Sequence, residues 1–147
     1  MVKSFEIKEI SVDDTQVLRN FIDNAGNSIE SFRYFNTRPL EIISNHVITV
    51  VVLDDKIPVG YGHLDKEDDK IWFGIAISEQ YKGKGLGKKI MQYLTDYADR
   101  KKMSDLFLSV DKSNTIAIKM YENFNFLKVK DLSENVLLMK RKCDYEI

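Results

Sequence analysis

The chain has 147 residues, 44% of them hydrophobic and 31% charged, and a formal net charge of −1. That length suits one domain with a buried core, and the near-neutral charge offers no basic field for nucleic acid. One cysteine, Cys143, excludes an intrachain disulfide framework and a cysteine metal site, and two histidines, His46 and His63, cannot fill a zinc site without carboxylates, so no metal is expected.

The N-terminal stretch MVKSFEIKEI lacks a continuous apolar segment, and no apolar run approaches membrane-spanning length. A soluble cytoplasmic protein is expected, without membrane or nucleic-acid partners. Phe5–Ile10 alternates apolar and charged residues as a half-buried strand does. Asp13 or Asp14 is placed to cap a helix with Val17, Leu18, Phe21 and Ile22 on one face. Gly26 breaks that helix. The stretch SIESFRYFNTRPLEIISNH follows, with helical spacing interrupted before Pro39, and reads as a broken helical pair. Two β-rich runs around Asp54-Asp55-Lys56 and a third after Glu67-Asp68-Asp69 predict a three-strand meander over 46–53, 57–65 and 70–78. Gly60, Gly62 and Gly74 lie inside those strands, where glycine marks a bulge or a close approach.

A helix over 85–102 carries Leu86, Ile90, Leu94 and Ala98 at core spacing, and 105–111 reads as a strand. Ile116, Met120 and Phe124 stripe a short helix from about Ser113. FLKVKDL and NVLLMKRK close the chain as two strands. The order β-α-α-β-β-β-α-β-α-β-β predicts a mixed α/β (α+β) single sheet, one domain over 1–147.

YKGKGLGKKI, from Tyr81 to Ile90, puts alternating glycines and lysines directly before a helix. Helix N-termini carry unpaired amides and the positive end of the dipole, so this stretch suits an anion, phosphate above all. A P-loop does not fit: counting back from Gly87-Lys88, its first glycine falls on Lys82, and Lys89 replaces Ser/Thr. A dinucleotide motif from Gly83 would need glycine at Lys88.

GIAISEQYKGKGLGKKIMQYL resembles the acetyl-CoA motif of the GNAT acetyltransferase superfamily, [QR]-x-x-G-x-[GA] between its fourth strand and the next helix. Gln80-x-x-Gly83-x-Gly85 is a literal match. The register starting at Lys82 has better distances from strand and helix and is preferred. Downstream, LSVDKSNTIAIKMYENFNF resembles the family's fifth strand and Asn-headed helix. Asn125 stands where the family usually has glycine, a position suited to left-handed backbone.

The resemblance implies a GNAT fold: one mostly antiparallel sheet whose two central parallel strands splay, with about four helices. Residues 1–45 would supply a strand and the acceptor-side helices, 46–111 the acetyl-CoA core, and 112–147 the last helix and strands. The implied co-substrate is acetyl-CoA. Backbone groups of Ile75, Ala76 and Ile77 would pair with its pantetheine, the amides of Lys82, Gly83, Lys84, Gly85, Leu86, Gly87 and Lys88 would hold its pyrophosphate, and Asn114 would contact it. Tyr121, also in contact, would protonate the leaving thiolate. Asn114 and Tyr121 are close to two helical turns apart and face one way.

The resemblance assigns no base. The fourth strand offers no internal carboxylate, and the matching position on the fifth is Ser109. His63 is a candidate base because its strand should neighbour the fourth; Asp65, on the same face, is placed to orient it. A structural histidine, or a water path, remains the alternative. Arg33, Tyr34 and Arg38 are candidates for substrate binding, since arginine pairs with phosphate or carboxylate and aromatics stack on rings.

The expected function is N-acetyl transfer to a primary amine on a small anionic acceptor, such as a nucleotide-linked amino sugar; the 30–46 segment and GYGHLD resemble small family members linked to bacterial surface polysaccharides. Peptide N-termini, polyamines and aminoglycosides stay open as acceptors. So do a homodimer, a non-catalytic acyl-CoA-binding module and a plain nucleotide-phosphate binder.

Overall fold

The computed structural model describes residues 5–30 and 32–142, so Cys143 and the first four residues lie outside it. Seven strands form one sheet in the order β1-β2-β3-β4-β5-β7-β6. They are β1 (Glu6–Glu9), β2 (His46–Asp54), β3 (Ile57–Glu67), β4 (Lys70–Ile77), β5 (Leu106–Asp111), β6 (Phe126–Asp131) and β7 (Val136–Arg141). The meander closes on two tight hairpins, with positive φ at Asp55 and Lys56 and again at Asp68 and Asp69. Two successive left-handed residues match the twist of the flanking strands.

All pairings are antiparallel except β4 with β5, which pair only at Ile71 with Leu106 and Trp72 with Phe107. Beyond Trp72 the two parallel strands separate, leaving one edge of residues 73–77 open. The expected splay is therefore present, and it opens the sheet at its centre.

Three α-helices are described: α1 (Thr15–Asn24), α2 (Leu86–Arg100) and α3 (Thr115–Asn123). Helix α2 covers one face of the sheet through Leu86, Ile90, Met91, Leu94 and Ala98, which pack with Val50, Val52, Leu64 and Phe73. It lies close because β3 has Gly62 beneath it: a Cβ there would stand 2.5 Å from the Ile90 side chain. Helix α1 covers the other face, where Leu18 and Phe21 pack with Val51, Tyr61 and Ala76.

Three local expectations need correction. Asp14 does stand at the N-cap of α1, but its side chain makes no cap there; it forms instead a reciprocal capping box with Ser11 over the 3-10 turn Val12–Asp14. The broken helical pair is instead a run of 3-10 turns at Gly26–Glu30, Tyr34–Asn36 and Leu40–Asn45. Each is too short to bury a helical stripe, and Pro39 sits in extended backbone ahead of the last. Ile116 is 86% exposed, so the α3 stripe does not run into the core at its first position. At the end of α3, Asn125 takes φ +72°, the left-handed stop expected of it. No helix among the described residues is long and apolar enough to cross a membrane.

Candidate active site

The separation of β4 from β5 opens into a cleft of about 840 Å³. Its walls include Ile75, Ala76 and Ile77 of β4, Ser109, Val110 and Asp111 of β5, and Asn114, Ala117, Met120 and Tyr121 of α3. The glycine loop and the 32–38 segment close its other sides.

On the glycine side, Gly83 and Gly85 have φ near +80°, and a Cβ at either would meet nothing within 4 Å. The glycines there serve backbone conformation and leave the approach open. Gly85 is the N-cap of α2 and no side chain caps the helix. The first helical hydrogen bond runs from Lys89 N to Gly85 O, so the amides of Leu86, Gly87 and Lys88 precede the ladder. Those amides, the dipole and the open glycines fit a pyrophosphate. The open edge of β4 fits an extended chain that takes strand-like hydrogen bonds. The residues present thus suit acetyl-CoA.

Of the residues expected on this side, all but Lys84 line the cleft; Lys84 is exposed and stands outside the lining. Gln80 lies in a 3-10 turn away from it, whereas Lys82 lines it. The Lys82 ammonium meets Glu79 at 3.3 Å. Asn114 lines the cleft and also caps α3, its Oδ1 accepting from Ala117 N at 3.3 Å. Tyr121 is nearly buried, edge-on to Phe73 and Phe126, and burial pushes its phenol pKa up. The hydroxyl therefore keeps its proton at neutral pH.

The other side is a set of paired side chains. The Arg33 guanidinium spans to Asp111 at the end of β5, with Nη2 to Oδ1 at 2.8 Å and Nη1 to Oδ2 at 3.4 Å. Arg38 donates to the Tyr34 carbonyl at 3.1 Å and meets Glu67 at 3.4 Å, with Cζ 4.3 Å from the Tyr34 ring centroid. The Tyr34 hydroxyl donates to Asp65 Oδ2 at 2.7 Å and meets His46 Nε2 at 2.7 Å, and His46 Nδ1 meets Thr49 Oγ1 at 2.8 Å. Burial raises the Tyr34 pKa, with Asp65 adding to the effect. Burial also lowers His46 to about 4; Asp65 opposes that shift and Arg38 adds to it.

His63 is buried and lines the cleft. Its strand neighbours β4 as expected, with Gly74 opposite it in register. The imidazole fills the place of a Gly74 side chain, since a Cβ there would collide with the ring. Burial drives its pKa well below the usual value, helped by His46 and Arg38. The expected partner is corrected: Asp65 bonds to Tyr34, and the residue on His63 Nδ1 is Tyr61, at 2.6 Å. Tyr61 was legible only as the i−2 neighbour of His63 on one strand face. In the sequence His46 stands out only as a possible metal ligand, and the Arg33–Asp111 pair, 78 residues apart, carries no sequence signal.

Residues 10–126 match the model of the Acetyltransferase (GNAT) family. The chain belongs to that family. It is 36% identical over 64 residues to the spermine/spermidine N(1)-acetyltransferase of Bacillus subtilis, a stretch covering 42% of each chain. It is 34% identical over 59 residues to the [ribosomal protein bS18]-alanine N-acetyltransferase of Escherichia coli, covering 40% of each. The matched stretch spans about two-fifths of these curated relatives. Among solved structures, the Escherichia coli ribosomal-protein-S18-alanine N-acetyltransferase superposes with TM-score 0.75 at 16% identity, covering 98% of this chain and 97% of that one. The PaiA N-acetyltransferase of Thermoplasma acidophilum, solved with coenzyme A, gives TM-score 0.72 at 17% identity, covering 95% and 99%. Both show the shared fold.

Proposed function

We propose that this protein transfers an acetyl group from acetyl-CoA to a primary amine, and that the amine belongs to a cationic acceptor. The carrying observation is the cleft itself: an open strand edge, uncapped α2 amides and a buried proton-bearing Tyr121 share one space. Acetyl-CoA supplies the acyl thioester. Backbone groups of Ile75–Ile77 would align it, the Gly83–Lys88 amides would hold its pyrophosphate, and Asn114 would lie beside it. Tyr121 would give its proton to the departing sulfur. Asp65, buried and lining the same cleft, is the carboxylate placed to take the amine's proton.

The acceptor side carries four carboxylates, Asp65, Glu67, Asp68 and Asp111, against two guanidiniums, Arg33 and Arg38. Both arginines are already paired. That balance favours an ammonium-bearing acceptor such as a polyamine or a peptide N-terminus. The named substrates of the matched relatives, spermine/spermidine and an alanine of a ribosomal protein, are of those kinds. A nucleotide-linked amino sugar is the second reading, favoured by the half-exposed Arg33 and by Tyr34 in the cleft wall. It requires the acceptor to displace Asp111 or Glu67 from its arginine. A cytoplasmic setting goes with this reading.

Thermal-shift titration tests the donor assignment. Acetyl-CoA is expected to raise the unfolding temperature in a saturable way and ATP to leave it unchanged. The reverse would make the protein a nucleotide-phosphate binder.

A further inference from the structure

Tyr61 and His63 share one face of β3, and the Tyr61 hydroxyl lies 2.6 Å from His63 Nδ1. Tyr61 is 0% exposed and is not part of the cleft lining, so its O–H has to donate inside the protein. Nδ1 of His63 is the acceptor it meets. A neutral imidazole that accepts at Nδ1 carries its proton on Nε2. Nε2 is the ring atom nearest to where a Gly74 side chain would stand, within the open β4 segment 73–77 that lines the cleft.

The second imidazole obeys the same accounting. Tyr34 gives its hydroxyl proton to Asp65, so its oxygen accepts from His46 Nε2–H, and His46 Nδ1 accepts from Thr49. The hydroxyls of Tyr34, Thr49 and Tyr61 and the His46 Nε2–H are thus matched to acceptors, which leaves the Nε2–H of His63, a cleft-lining residue, for a ligand.

We propose that His63 acts as a hydrogen-bond donor and not as the base: Nε2–H serves the carbonyl oxygen of the thioester as the amine adds, and Tyr61 is the positioning residue that fixes this tautomer. This rests on the acetyl-transfer reading above. In the step, the amine nitrogen bonds to the carbonyl carbon and the π pair moves onto the oxygen that Nε2–H stabilises. The amine's proton passes to the Asp65 carboxylate. The carbonyl re-forms as the C–S bond breaks, and sulfur takes the Tyr121 proton; exchange with solvent resets both residues. His63 keeps its proton throughout, as a fixed donor in a water-poor site should.

Two measurements test this. Nitrogen-15 NMR of labelled histidine in the ligand-free protein is expected to show His63 as the neutral Nε2–H tautomer, and Tyr61→Phe is expected to release it to a mixture. An Nδ1–H tautomer in the wild type, or no change in Tyr61→Phe, overturns the positioning role. Kinetics separate donor from base, because glutamine presents an N–H near the Nε2 position and cannot act as a base. His63→Gln is expected to keep kcat within about tenfold of wild type and His63→Leu to lose about 100-fold or more, both with acetyl-CoA affinity retained. Equal loss in the two, in folded protein, overturns the donor role. If no amine is acetylated while the NMR result holds, the acetyl-transfer reading falls with the catalytic role, and the tautomer assignment stands.

Discussion

On the glycine-loop side of the cleft the binding groups are main-chain amides and an open strand edge; on the side closed by residues 32–38 they are side chains that hold one another. The first arrangement needs only local sequence: glycines that take positive φ and a helix that starts without a side-chain cap. The second needs partners from distant strands, as Arg33 does with Asp111 and Tyr34 with His46 and Asp65. On the proposed function, the difference is between a donor side that any acyl-CoA enzyme of this fold can share and an acceptor side tuned by particular charges.

Four changes probe that contrast, in falling order of expected effect. Tyr121→Phe removes the proton that the proposed mechanism gives to the leaving sulfur and is expected to lower kcat by about 100-fold or more with acetyl-CoA affinity unchanged. Equal activity in the phenylalanine variant, by thiol release, would take Tyr121 out of the chemistry. Gly85→Val forces a β-branched residue to φ +81° and costs about 1–2 kcal/mol of backbone strain. Its expected mark is a KM for acetyl-CoA raised about tenfold and an acceptor KM that stays put, which keeps the two sides separable. Arg33→Ala frees Asp111. For a cationic amine the acceptor KM should fall or hold, and for an anionic amino sugar it should rise a few-fold, in steady-state kinetics; the pair is exposed and modest in strength.

The smallest effect is a pH dependence of stability. The His46 imidazole binds a proton near pH 6.5 when unfolded and only near pH 4 when folded. Between those values protonation favours the unfolded chain, so stability present above pH 6.5 is lost as the pH falls. The melting temperature should drop across that window, and His46→Gln should flatten the drop. An unchanged slope would mean that burial does not hold His46 neutral.

Much of this architecture is legible in the residues. The meander follows from β-rich runs broken at Asp55-Lys56 and Asp68-Asp69, each pair taking the two left-handed φ values a tight hairpin requires. Gly62 and Gly74 mark close approaches, by α2 in one case and the His63 ring in the other. The 32–45 segment misleads because its aromatics fall at helical spacing, while Pro39 and the short local runs allow only 3-10 turns. Ile116 misleads for a similar reason: its spacing fits a core stripe, yet it lies at the rim of the cleft. The link from Tyr61 to His63 is visible once both are placed on one strand face. The choice of Tyr34 over His63 as partner of Asp65 depends on how a loop folds over the sheet, and sequence spacing carries no such information.

The most direct test is mass-spectrometric detection of acetylated product from purified protein, acetyl-CoA and three separate acceptors: spermidine, a peptide with N-terminal alanine, and a nucleotide-linked amino sugar. The account predicts a mass gain of one acetyl group on spermidine or the peptide, dependent on Tyr121. Transfer to the amino sugar alone would contradict the charge reading of the acceptor side, and no transfer to any amine by protein that binds acetyl-CoA would contradict the enzyme itself.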